Sequence, residues 1–250
     1  MGAGHAGQLR PVRPARLPLG EVAGADRLLL VSSNAIGRRV PQHRNVIEAA
    51  RRVGVGLVVY TSILRADTSP LGLAEEHRGT ESVLRGSGLP VAILRNGWYS
   101  ENYTASAGLA LASGSVVGSA GDGRIASAAR SDYAEAAAAV LTSDQEQAGQ
   151  VYELAGDVAY TLSDLAEEIT RQSGTRVTYR DLPEHDYATA LETAGLPGPL
   201  AGLLAESDVG ASKGGLFSDG RELSALIGRP TTPLAESVAH ALRGSPVTAG

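Results

Sequence analysis

The stretch Leu89-Pro90-Val91-Ala92-Ile93-Leu94-Arg95-Asn96-Gly97-Trp98-Tyr99-Ser100-Glu101-Asn102-Tyr103 changes character halfway along. Up to Leu94 it is a continuous apolar run, the pattern of a strand buried on both faces of a parallel sheet. After Leu94 come amide, glycine, aromatic and carboxylate side chains in quick succession. The chain has one tryptophan, eight tyrosines and one phenylalanine, and three of those rings fall here. Packing does not ask for such a mixture straight after a strand. A ligand site at the strand's carboxyl end does.

Toward the N-terminus the same pattern recurs twice. Arg27-Leu28-Leu29-Leu30-Val31 reads as a buried strand ending in Ser32-Ser33-Asn34, and Leu57-Val58-Val59-Tyr60 as a second ending in Thr61-Ser62. A helix opening at Pro41, with its apolar stripe on Val46, Ile47, Ala50 and Val53, links them. A helix over 74–85, stopped by Gly86 and Gly88, leads to the third strand, which ends in Asn96. Successive strand–helix units predict an α/β fold, a Rossmann-like parallel sheet with right-handed crossovers. Each strand brings small polar groups to the edge where such sheets bind ligands: Ser32 and Ser33, Thr61 and Ser62, then Asn96.

Toward the C-terminus the elements are shorter and mixed. Strands are expected at 115–118, 151–154 and 177–179, with a tight turn at Ala120-Gly121-Asp122-Gly123. Asp132-Tyr133-Ala134-Glu135 has capping-box spacing and predicts a helix start, as does Thr161 with Asp164 three residues on. Further helices are expected at 183–194, 199–206, 222–227 and 234–242, the last capped by Thr232 and Pro233. The segment 210–217 reads as a glycine-rich loop. This pattern predicts a Rossmann-like nucleotide-binding domain over 27–150 and a smaller α+β C-terminal substrate lobe over 151–250, interleaved with it.

Residues 1–26 read differently. Gly2-Ala3-Gly4-His5-Ala6-Gly7 matches G-x-G-x-x-G in letters, but the phosphate-binding mechanism needs a strand before it and a helix after it. Only Met1 precedes it, and Pro11, Pro14 and Pro18 follow. The segment is expected to be a disordered tail.

Composition narrows the chemistry. The chain of 250 residues is 43% apolar, carries net charge −5 and contains no cysteine. Thiolate metal sites, cysteine nucleophiles and disulfides are excluded. The five histidines are scattered, so no metal site is expected. The acidic balance argues against nucleic acid as a partner. No apolar run approaches the roughly 18 residues of a membrane span. Arg10, Arg13 and Arg16 lack a following apolar segment, so no secretory signal is read and a cytoplasmic location is expected. Lys213 is the only lysine and reads as a surface-turn residue. A Tyr-x-x-x-Lys dyad therefore does not exist in this chain. Gly86-Ser87-Gly88 is a helix stop, not a nucleophile elbow. His77 shares a helix face with Leu73, Thr80 and Leu84 and reads as a core histidine, its alternative being a proton donor. For a nicotinamide, Trp98 or Tyr99 offers an apolar wall and Asn96 or Asn102 a carboxamide partner.

These residues also carry a family resemblance. Pro41-Gln42-His43-Arg44-Asn45-Val46, Tyr60-Thr61-Ser62, Ala66-Asp67-Thr68-Ser69-Pro70-Leu71 and the segment 94–102 resemble the NAD(P)H:quinone oxidoreductase type 2 branch of the NmrA-like atypical short-chain dehydrogenases. So do Ala155-Gly156-Asp157 and Ser207-Asp208-Val209-Gly210-Ala211-Ser212-Lys213-Gly214-Gly215-Leu216. The resemblance implies hydride transfer from NADPH, with NADH as the alternative, to a small-molecule quinone. It implies Ser32, Thr61, Asn96, Gly97, Trp98, Tyr99, Ser100, Glu101 and Asn102 along the cofactor, with Tyr99 and Asn102 as catalytic residues beside the quinone. The family opens with a strand, a T-G-A-T-G-x-x-G loop and a helix that residues 1–26 do not match. The first βαβ unit is therefore expected to be missing, leaving 27–31 as a strand without its inner neighbour. An NAD(P)-sensing NmrA-like regulator, or an inactive truncated remnant, is the alternative.

Overall fold

The computed structural model describes residues 24–244. The Gly2–Gly7 motif and most of the expected tail lie outside the described residues. Asp26, placed in that tail by the sequence, already belongs to the fold: its carbonyl accepts the Gly56 and Leu57 N–H groups.

Four parallel strands form the main sheet in the order β1 (Arg27–Leu30), β2 (Leu57–Ile63), β3 (Val91–Asn96), β5 (Val151–Leu154). Strand β4 (Ser115–Gly118) pairs in parallel with β6 (Thr178–Asp181) to make a second, small sheet. The alternation of the central strands explains the layering. On one face Val58, Tyr60, Val91 and Ile93 pack with Ile47 and Ala50 of α1 (Arg39–Val53) and Leu84 of α2 (Ala74–Arg85). On the other, Leu57, Val59, Ala92 and Leu94 meet Ala136 and Val140 of α5 (Arg130–Thr142) and Leu223 of α9 (Glu222–Ile227). Side chains buried on both faces are what a continuous apolar run predicts.

Strand β1 behaves as an edge. Among the described residues it pairs with β2 alone, Leu28 and Leu29 are half-buried, and Val31 is 61% exposed.

A third apolar cluster fills the C-terminal part, joining Trp98, Tyr103, Val116, Ile125, Leu162, Leu165, Ile169 and Leu216. It lies among α3 (Glu101–Thr104), α4 (Ala107–Ser113), α6 (Leu162–Ser173) and the small sheet. Of the residues after 150, β5 and α9 pack in the main sheet and its covering layer.

Several local expectations change. β2 runs on to Ile63, so Thr61 lies within the strand, one residue past its pairing with β1. The segment after Tyr103 is helical. The helix expected at 199–206 is α8 (Gly198–Ser212) and consumes the start of the expected loop. Asp132 caps nothing: α5 begins at Arg130, and the buried Asp132 carboxylate accepts from Arg229 and from the Thr232 N–H and hydroxyl. Thr232 is thereby also committed elsewhere than to the last helix, α10 (Leu234–Gly244). The capping box at Thr161 and Asp164 is present as expected.

Candidate active site

The polar groups at the strand ends do converge. The Ser32 N–H donates to Thr61 Oγ1 at 2.8 Å, and the two hydroxyls are 3.4 Å apart. Ser62 is drawn the other way, into the fold, where its hydroxyl donates to Glu81 at 2.6 Å. Asn96 ends β3 and is buried, with no hydrogen-bond partner for Oδ1.

From Gly97 on, the chain leaves the sheet and its side chains part company. The Gly97 N–H donates to the Leu154 carbonyl at 2.7 Å, continuing the pairing with β5. Trp98 turns toward the C-terminal cluster and is buried, and its indole N–H has no acceptor. Tyr99 turns to the opposite side, where its ring meets Tyr133 edge-on at 5.3 Å. Ser100 is buried, its hydroxyl 2.9 Å from that of Ser127.

Arg130, which the sequence did not single out, gathers the rest. Its guanidinium lies 4.6 Å over the Tyr99 ring and donates to Asn102 Oδ1 at 3.2 Å. Its backbone N–H donates to the Glu101 carboxylate, which thus sits against the positive end of α5. Tyr99, Glu101 and Asn102 are therefore held by a single residue.

Beside this segment opens an apolar cavity of about 460 Å³. Trp98, Asn102 and Tyr103 form one wall, and Leu109, Val116, Tyr187, Leu191 and Leu204 much of the remainder. Its size and apolar lining suit a small aromatic molecule. Tyr99 does not line it. The wall carries a carboxylic acid, Asp208 of α8, 2% exposed. The Tyr103 hydroxyl donates to Asp208 Oδ1 at 2.8 Å and the Ser119 N–H to Oδ2 at 3.0 Å. Burial outweighs these bonds and pushes the Asp208 pKa up to about 6. Burial, then the neighbouring Asp208, holds the Tyr103 phenol well above its ordinary range. Both residues stand in quoted motifs, yet only their meeting across 105 positions shows what they form.

His77 is a core residue. Its Nδ1 is 2.9 Å from the Tyr60 hydroxyl, and Nε2 is 3.4 Å from Arg39. Burial, then Arg39, lowers its pKa to about 3. Lys213 is exposed at the end of α8. Among the described residues no cluster of metal-ligating side chains occurs, and no helix is long and apolar enough to cross a membrane.

The chain is 61% identical over 217 residues to quinone oxidoreductase 2 of Escherichia coli strain K12, covering 87% of this chain and 76% of that protein. The chain belongs to the quinone oxidoreductase 2 family. The crystal structure of that E. coli NADPH-dependent enzyme complexed with NADPH superimposes with a TM-score of 0.87 at 59% identity, over 90% of this chain and 79% of the other. The triphenylmethane reductase of Citrobacter sp. complexed with NADP(H) follows with a TM-score of 0.85 at 32% identity, over 89% and 79%. No family model matches the chain. The Rossmann-like parallel sheet read from the strand pattern, and the NmrA-like fold that the resemblance implies, are the fold of these relatives.

Proposed function

We propose that the chain is an NADPH-dependent oxidoreductase that reduces a quinone in the cytoplasm. The observation that carries this reading is 61% identity to a quinone oxidoreductase over most of the chain. The side chains present fit the cofactor. A nicotinamide carboxamide offers one donor and one acceptor group, and Asn96 Oδ1 and the Trp98 indole N–H are an acceptor and a donor without partners at the end of β3. NADPH, when bound, supplies the hydride.

Ser32 and Thr61 would hold it through their paired hydroxyls, and Asn96 to Asn102 would flank it. Arg130 holds both Tyr99 and Asn102, but only Asn102 lines the cavity, so Asn102 would orient the acceptor from a fixed position. Asn102 reaches both the Arg130 anchor and the cavity. The apolar cavity excludes water from the acceptor and takes a planar ring. No tyrosine–lysine dyad is needed, because hydride transfer asks chiefly for positioning.

The test is a titration of NADPH into the protein while following fluorescence of Trp98, the single tryptophan, together with NADPH oxidation on adding a soluble quinone. Saturable quenching and quinone-dependent oxidation are expected. Binding without turnover would replace the enzyme by a nucleotide-sensing protein, and neither signal would remove both readings.

A further inference from the structure

Reduction of a quinone to a hydroquinone takes a hydride and a proton, and the cavity wall contains a group suited to the second. We propose that Tyr103 and Asp208 form a two-residue acid that delivers this proton, Tyr103 touching the quinone oxygen and Asp208 restoring the tyrosine's hydrogen. The inference rests on the quinone-reductase reading and assigns the proton that reading leaves without a source.

The geometry has three parts. Both residues line the cavity that Trp98 and Asn102 also line. The Tyr103 oxygen and Asp208 Oδ1 are 2.8 Å apart, close enough for a proton to pass between them. The carboxyl is fixed from the other side by the Ser119 N–H, and Gly118 makes room for it, since a Cβ there would stand 2.7 Å from Oδ2. A carboxyl brought this far into an apolar wall has no salt bridge among the described residues. A structural carboxylate is ordinarily paired when buried. Asp132 in the same chain is, with Arg229 at 2.8 Å.

The surroundings favour the neutral acid. From α7 (Glu184–Thr193) comes Tyr187, and from β6 come Tyr179 and Asp181, whose charge further raises Asp208. Tyr160 is close enough to Tyr103 to hold its phenol higher still. Arg180, the one cation of the cavity lining, is an exposed residue of β6. With a pKa of about 6, Asp208 holds its proton in part of the molecules near neutral pH, where an acid catalyst works best.

The step balances. The hydride brings both electrons to the quinone and oxidises the dihydronicotinamide. The Tyr103 O–H bond breaks as the hydroquinone O–H forms. The Asp208 O–H bond breaks as the Tyr103 O–H is remade. Once the hydroquinone has left, the Asp208 carboxylate takes a proton from water entering the emptied cavity.

The experiment compares the 250-residue chain with its Asp208→Asn and Tyr103→Phe variants, using para-benzoquinone as acceptor. Thermal unfolding and NADPH quenching of Trp98 report folding and cofactor binding. Single-turnover NADPH oxidation is then followed across about pH 5 to 8. The wild-type rate is expected to fall as pH rises through about 6, and the infrared carbonyl band of a protonated carboxyl to vanish over the same range. Asp208→Asn should lack that band. Both variants should bind NADPH and lose on the order of a hundredfold in rate, with the pH dependence flattened. Folded variants that keep the wild-type rate and pH profile would overturn the acid and leave the quinone reading intact. A wild-type chain that never oxidises NADPH with a quinone would remove the reading and the acid together. Should both variants unfold, the wild type decides alone, because a carboxyl band insensitive to pH where the rate falls would refute the assignment.

Discussion

The Ser32 N–H and Thr61 Oγ1 are 2.8 Å apart, so the loop that leaves β1 is fastened to the next strand where β1's own pairing ends. Residue 61 is therefore both a scaffold for the loop and a candidate cofactor contact. Thr61→Val keeps the shape and removes the acceptor. One hydrogen bond of about 1 kcal/mol corresponds to roughly fivefold in binding. NADPH affinity, read from Trp98 quenching, is expected to weaken by at least that factor. Unchanged affinity would take Thr61 out of the cofactor site.

Among the described residues Arg95 is the cation with the most carboxylate partners. Its guanidinium donates to both oxygens of Glu81 at 3.0 and 2.8 Å, to Asp67 at 2.7 Å and to Glu153 at 2.9 Å. Its charged form is held far into the basic range by Glu81 above all. It joins α2, β3, β5 and the loop after β2, directly beneath the segment that carries Asn96 to Asn102. Arg95→Met leaves the fully buried Glu81 carboxylate with only the half-exposed Arg85 at 2.8 Å and the Ser62 hydroxyl, so the loss should approach the roughly 3–5 kcal/mol of a broken buried pair without exceeding it. The midpoint of denaturant unfolding should fall accordingly. Adding Glu81→Gln should restore part of the loss, since a buried charge with one half-exposed partner is its main cause.

How much of this was readable beforehand depends on distance along the chain. β2 and β3 carry apolar runs that only a doubly covered strand needs, and the short words Ser32, Thr61 and Asn96 then fell at one sheet edge. The partners of those words were not readable. Arg130 collects Tyr99, Glu101 and Asn102 from 28 or more residues away, and Asp132 shows a local capping-box spacing while its partners stand about 100 positions on. Gly210 stands at the start of the segment that reads as a glycine-rich loop. It lies inside α8, and the position is glycine because a side chain there would run into Leu71, a packing reason that composition does not reveal. The cavity is assembled from α3, α4, β4, β6, α7 and α8, and no single segment announces it.

Asp208 should leave a mark on stability as well as on turnover. Its folded pKa of about 6 lies above its ordinary 3.8, so between those values the native state binds more protons than the unfolded state. Its contribution to stability is then present at low pH and is lost as pH rises toward 6. At 1.36 kcal/mol per pKa unit the whole span amounts to about 3 kcal/mol. Asp208→Asn should remove this slope, so its stability relative to wild type should improve steadily from about pH 4 to 6. A constant difference between the two proteins over that range would show that Asp208 titrates normally.

His77 acts in the opposite direction over nearly the same range. Its pKa of about 3 lies below its ordinary 6.5, because the ring is buried against Tyr60 and Arg39. Here the unfolded state binds the proton first, and stability is lost as pH falls from 6.5 toward 3. The full span is about 5 kcal/mol. In the wild type the two slopes partly cancel between about pH 4 and 6, which hides each from a simple acid titration. Separate variants expose them. His77→Gln, which keeps a polar group for the Tyr60 hydroxyl, is expected to cost stability near neutral pH and to blunt acid unfolding. In Asp208→Asn, acid unfolding should steepen, because the residue that opposed His77 is gone. Urea midpoints measured for the three proteins across this range would reject the assignment of His77 as a neutral core group if the His77→Gln difference does not shrink on acidification.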